Sequence, residues 1–271
     1  MTATAAAADQ RSRLRSALDQ AAALSLRSIR TSFRNPVSFV PGLVFPLMLA
    51  AVYSAQFQRA LGLPGFPEVD SFLDFILPAS ILQAVAFGAT AAGADMALDM
   101  ENGFFDRLLT SPVSRPSILS ARLAGSAVEA AIKFVIILGI FLLFGASVKS
   151  SVPGVLVILV VSVLLAMAIG GVSLVLALRT GSQEAVNASF PLVFSVLFVS
   201  SAFFPTELME GWYQTIAENN PITWIIDPVR RLVIEGWSWS DSLSAIGLTF
   251  AFAVATISWA TFALRRRLAT L

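Results

Sequence analysis

Five stretches of this sequence run for 20 residues or more without a charged side chain, and a sixth carries only two. They are Asn35–Gln58, Phe75–Ala94, Ser150–Leu178, Ala185–Thr206 and Ser242–Leu264, with Leu123–Val148 interrupted by Glu129 and Lys133. Hydrocarbon about 30 Å thick takes about 20 apolar residues to cross as a helix rising about 1.5 Å per residue. Each stretch therefore predicts a transmembrane helix. Composition agrees: 13% of residues are charged, against roughly a quarter in a soluble domain. The expectation is an all-α membrane protein with six transmembrane helices.

Lysine and arginine placement sets the orientation. With a cytoplasmic N-terminus, thirteen basic residues fall inside, among them Arg11, Arg13, Arg15, Arg107, Arg115, Arg122, Arg179 and Arg265–Arg267. Only Arg59, Lys149, Arg230 and Arg231 fall outside. Both termini are expected to be cytoplasmic. No cleavable signal is expected, because the apolar run Ala21–Leu26 is too short for one.

Three segments outside the spans have a pattern of their own. Residues 1–34 read as an Ala/Thr-rich start, then a basic amphipathic helix over Gln10–Arg34 suited to an anionic inner leaflet. A single six-span domain covers 35–271. In its inner connection, Asp95–Arg122, the residues Met100, Phe104, Phe105, Leu108 and Leu109 share one helical face, opposite Asp99, Asn102, Asp106 and Arg107. Ser111-Pro112 is expected to stop that helix. The outer connection, Pro205–Asp241, predicts two short helices on or dipping into the outer leaflet, a re-entrant hairpin. Asn219-Asn220-Pro221 separates them, Asp227-Pro228 starts the second as N-cap and first residue, and Gly236 ends it. Small residues at Ala84, Gly88 and Ala92, and at Ala166 and Gly170, allow close helix approach within the chain or between subunits.

The absence of cysteine and histidine removes disulfides, thiol nucleophiles and His- or Cys-ligated zinc. No GxxxxGK[ST] phosphate loop is present, so this chain does not bind ATP by that route. Glu129 and Lys133, four residues apart, stand on one helical face. They are either a polar element of a translocation path, as in an ion-coupled transporter or channel, or a neutralised pair facing the bundle with Lys133 snorkelling. An intramembrane protease would need carboxylates from two helices at depth, and the sequence offers none. Asp95 and Asp99 read instead as solvated acids or partner contacts at the inner surface.

The run Leu98-Asp99-Met100-Glu101-Asn102-Gly103-Phe104-Phe105-Asp106-Arg107-Leu108-Leu109-Thr110-Ser111-Pro112-Val113-Ser114-Arg115, with Ala121-Arg122-Leu123, resembles the signature of type-2 ABC transporter permeases, closest to the daunorubicin-resistance branch of bacterial exporters. Ser200–Pro205, Asn220–Thr223 and Asp227–Leu232 support the resemblance, which covers essentially the whole chain. Pro78-Ala79 and Ala121-Arg122 depart from it, since the family often has glycine in place of those alanines, and glycine gives backbone freedom that alanine lacks.

The resemblance implies the membrane subunit of an exporter in a bacterial cytoplasmic membrane, working on drugs or lipids. Its partners would be two copies of a separate ATPase, which hold ATP and Mg2+, and a second identical or related permease. It implies no cofactor on this chain and no nucleic acid. Residues 101–110 would form a coupling helix docked on the ATPase, with Asp99, Glu101, Asp106, Arg107 and Arg115 as contacts and Gly103 permitting close approach. The substrate path is expected to involve Glu129, Lys133, Phe194, Phe198, Phe203 and Phe204.

Overall fold

The computed structural model describes Leu26, residues 39–110 and residues 115–269. The expected amphipathic helix and the Ser111-Pro112 stop lie outside the described residues. Those described are helical, with no strand among them. In chain order the helices are α1 (Pro41–Phe57), α2 (Phe72–Ala89), α3 (Ala91–Glu101), α4 (Phe104–Thr110), α5 (Arg115–Leu143), α6 (Ser151–Thr180), α7 (Gln183–Asn187), α8 (Phe190–Phe198), α9 (Gly211–Glu218), α10 (Pro221–Ile234) and α11 (Trp239–Ala269).

Among the described residues, four helices are long and apolar enough to cross a membrane: α2 with α3 as one run, α5, α6 and α11. At 30 or 31 residues, α6 and α11 extend about 45 Å. The α2–α3 run is the bundle's centre, with 94% of its most apolar window buried by protein. Ser71 caps its start by accepting a hydrogen bond from Leu73 N. Pro78 and Ala79 lie inside α2 and Ala121 inside α5, and neither helix breaks there.

Successive segments alternate between two ends of the bundle. One end collects Arg122, α4, α7 and the C-terminus of α11. The other collects α9, α10 and Arg230. Cross-links fix the order: Arg267 donates to Leu178 O at the first end, and Ser147 N donates to Asp74 while Lys149 N donates to Val233 O at the second. The small residues of both stripes, Ala84, Gly88, Ala92, Ala166 and Gly170, are buried within the chain. A side chain at Gly93 would lie 2.3 Å from Ser173 O, so α3 and α6 meet backbone to backbone, and Ser173 Oγ accepts from Gly93 N.

Two expectations need correcting. The stretch 185–206 is not one helix: α7 ends at Asn187, α8 covers only Phe190–Phe198, and a 3-10 turn follows at Thr206–Leu208. Nine residues reach about 14 Å, less than half the hydrocarbon thickness. Ser189 and Ser200 bond back to Val186 O and Leu197 O, offering the backbone local alternatives to a continuing ladder. In the second hairpin helix the start is Asn220-Pro221, where Asn220 Oδ1 accepts from Ile222 N, and Asp227-Pro228 falls inside α10. Both dipeptides carry the same cap-then-proline signature, and the earlier one takes the role. Gly236 adopts a positive φ just beyond the helix, as expected of its end.

Candidate functional site

At the Arg122 end, α3 leads through Asn102 and Gly103 into α4. Gly103 has φ +67°, and a β-carbon there would meet no atom of the described residues within 4 Å. The glycine is set by the left-handed turn rather than by crowding within the chain. Phe105 is buried, and Met100, Leu108 and Leu109 pack on the same apolar cluster. Asp106 and Arg107 are exposed on the opposite face. Glu101 is exposed too, but its carboxylate accepts from Gln183 N at 2.8 Å, bridging to the start of α7. Arg115 opens α5, with its side chain outside the described residues.

Asp99 is neither solvated nor turned outward. It pairs with Arg122, as does Asp95 at 3.5 Å, so Arg122 of α5 clamps two carboxylates of α3. Read from the sequence as a marker of orientation, Arg122 is an interhelical lock.

Behind this end lies the Glu129–Lys133 pair. Lys133 is wholly buried, so it does not snorkel. Its ammonium is 2.7 Å from Glu129 Oε1, close enough for an ion pair but off the angle of a hydrogen bond. Room for it comes from two glycines: β-carbons at Gly42 of α1 and Gly88 of α2 would fall 2.8 Å and 2.3 Å from Nζ. The ring of Phe39 covers the ammonium at 5.2 Å. Gly42 and Gly88 also line a cleft of about 510 Å3 with Phe45, Phe87, Asp95 and Phe190.

From that cleft an aromatic track runs toward the other end. Phe190 meets Phe87 at 4.7 Å, Phe87 meets Phe45 and Phe194 at 5.9 and 6.1 Å, and Phe194 meets Phe198 at 5.6 Å between ring centres. Phe198 then contacts Phe203 at 5.5 Å, Phe203 contacts Tyr53 at 5.1 Å, and Tyr53 leads to Phe57 and Phe204. A second pocket of about 350 Å3 ends the track, lined by Tyr53, Phe57, Phe198, Phe203, Phe204 and Tyr213. The four phenylalanines expected on the substrate path thus form one line, while Glu129 and Lys133 sit behind its first cleft.

The hairpin end holds a cluster that the sequence reading missed. Asn220, Thr223, Asp227 and Arg230 follow one another at 3, 4 and 3 residues along α10, one helical stripe. They close the backbone left open where α8 stops. Asn220 Nδ2 donates to Val196 O and Val199 O, Thr223 Oγ1 accepts from Ser201 N, and Asp227 accepts from Ser201 Oγ. Arg230 donates to Ser201 O, Ala202 O, Phe75 O and Asp227, with its guanidinium over the Phe75 ring at 4.1 Å. The 3-4-3 spacing of polar residues was the available signal for this stripe.

Residues 19–234 match the ABC-2 type transporter family. A putative transport permease of Cyanophora paradoxa is 30% identical over 80% of this chain and 74% of its own length. A daunorubicin-resistance ABC transporter permease of Streptomyces coeruleorubidus is 25% identical over 73% of this chain and 69% of its own. A probable doxorubicin-resistance permease of Mycobacterium tuberculosis is 25% identical over 75% and 72%. With its long apolar helices, and with the two motifs of the resemblance falling on the α3–α4 elbow and on the α8–α10 closure, the chain belongs to the ABC-2 type transporter permeases.

Proposed function

We propose that this chain is the membrane-spanning subunit of an ATP-driven exporter for apolar or amphipathic compounds. The observation that carries the proposal is the α3–α4 elbow. A buried Phe105 anchors a short helix whose Asp106 and Arg107 face away from the bundle, the form a docking helix for a separate ATPase needs. Two copies of that ATPase, holding ATP and Mg2+, would drive a pair of permeases. Asp106 and Arg107 are its nearest contacts in this reading, with Gly103 setting their turn and Arg115 flanking. Asp99 and Glu101 act within the chain, holding α3 to α5 and α7.

Six passes complete the reading: the four long helices, α1, and the broken α7–α8 segment, whose alternating directions support the count. The distribution of basic residues supports a reading with the Arg122 end and both termini in the cytoplasm and the α9–α10 hairpin outside, and the resistance permeases of Streptomyces and Mycobacterium favour a bacterial membrane. The aromatic track supports an apolar substrate, which would pass Phe194, Phe198, Phe203 and Phe204 along α1 and α8. The resistance permeases among the relatives are named for daunorubicin and doxorubicin, which supports an exporter of small organic compounds. The alternative, ion coupling through Glu129 and Lys133, is disfavoured because the pair is sealed between glycines. Affinity purification from native membranes should recover a P-loop ATPase, and proteoliposomes of the complex should move substrate only with ATP. Transport by the permease alone would reject the proposal.

A further inference from the structure

Gln83 lies in the middle of α2, only 2% exposed, and neither its amide nitrogen nor its amide oxygen has a hydrogen-bond partner among the described residues. A buried amide normally finds partners, because leaving it unpaired forfeits its hydration without return. Its position is informative. Gln83 precedes Phe87 by four residues, one turn along the same face of α2 and about 6 Å away. Phe87 is the ring that touches Phe45, Phe190 and Phe194 and lines the larger cleft. Phe194 and Phe198 are spaced by the same turn on α8. The free amide therefore lies one helical turn from Phe87, toward the hairpin end of α2, and outside the lining of either cleft.

We propose that Gln83 is a specificity-determining residue of that track. It hydrogen-bonds a neutral hydroxyl, carbonyl or amide group borne on the ring-bearing, apolar body of the ligand. The proposal rests on the aromatic track being the substrate path and adds what the track reads. Rings alone select poorly among apolar compounds, whereas a site with an amide to satisfy favours the ligand that satisfies it. An amide, able to donate and accept, accommodates both polarities of group. Its lack of charge sets it apart from Glu129 and Lys133, which form an ion pair with each other.

The test uses the detergent-purified full-length chain and two probes, 9-anthracenemethanol and 9-methylanthracene, which share a ring system and differ by one hydroxyl. Binding is read from the rise in melting temperature with probe concentration, followed by size-exclusion chromatography. Wild type should half-saturate with 9-anthracenemethanol at a concentration on the order of tenfold lower than with 9-methylanthracene. Gln83→Leu and the near-isosteric Gln83→Met should fold at least as well and bind both probes alike, at the wild-type level for 9-methylanthracene. Phe194→Ala should weaken both probes equally. Retention of the hydroxyl preference in Gln83→Leu and Gln83→Met, or its absence in wild type, overturns the proposal while leaving the track intact. If neither probe stabilises wild type, the track reading fails and the proposal falls with it.

Discussion

Two buried arginines stand at opposite ends of this bundle, and they are neutralised by different means. Arg122 sits where α3 and α5 are both continuous helices whose carbonyls are already used, so its counter-charges are carboxylates, Asp95 and Asp99. Arg230 sits where a span is broken. There three of its four hydrogen bonds go to backbone carbonyls, those of Ser201, Ala202 and Phe75, and Asp227 takes the fourth. Arg122 satisfies side chains, whereas Arg230 satisfies backbone. An interrupted helix inside an apolar bundle needs such a donor, because unpaired carbonyls there would each cost several kcal/mol.

The sharpest way to break this comparison is to remove each cation. Arg230→Leu takes the donor from three backbone carbonyls and the counter-charge from Asp227, and should cost about 3–5 kcal/mol, seen as a collapse of folded yield and melting temperature in detergent. Arg230→Lys should recover only part, since a point charge cannot reproduce the guanidinium fork. Arg122→Leu should cost less, about 2 kcal/mol, and the triple replacement with Asp95→Asn and Asp99→Asn should regain most of it. No set of side-chain changes that removes Arg230 should do the same, because backbone carbonyls cannot be mutated away. Equal rescue at both ends would show that Arg230, too, is chiefly a side-chain pair.

How far each end was legible follows from the same physics. The long spans, the Glu129–Lys133 pair and the apolar face carrying Phe105 are local patterns, set by periods of 3.6 and spacings of four, and the structure contains them. Arg230 read as an exterior loop charge because its acceptors, Ser201 and Ala202, lie 29 and 28 residues earlier. No short-range pattern joins them. Arg122 and Asp99 are 23 residues apart, and for the same reason their charges looked like surface markers. The window Ala185–Thr206 passed as one helix because hydropathy counts apolar residues, while serines at its ends decide whether the ladder continues. Gln83 went unremarked: a lone amide in an apolar window is conspicuous only once its surroundings are known to lack partners.

Between the two arginines, the Lys133 pocket offers a smaller effect. Gly88→Ala places a methyl group 2.3 Å from Nζ and 2.6 Å from Glu129 Oε1, and should cost about 1–3 kcal/mol through overpacking. The same substitution in a Glu129→Gln, Lys133→Met background should cost clearly less, because the thioether chain can yield where a paired ammonium cannot. A melting-temperature cycle over the four proteins reads this coupling directly. Additivity would mean that the pair relaxes freely, and that the glycine is kept for some other contact.

The smallest effect on stability belongs to the face that carries the functional proposal. Asp106 and Arg107 are exposed, and among the described residues the Arg107 side chain bonds only within its own turn, to Gly103 O. Exchanging their charges, Asp106→Arg with Arg107→Asp, keeps the net charge and the buried Phe105 anchor. The melting temperature of the isolated permease should therefore stay at the wild-type value, in contrast to every change at Arg122 or Arg230. What should fall, by about tenfold or more, is recovery of the ATPase and ATP-driven transport, since charge pairs across an interface turn repulsive when reversed. A variant that melts early would make α4 a structural cap of the bundle. One that melts normally and still carries its ATPase would move the docking surface elsewhere on the Arg122 end.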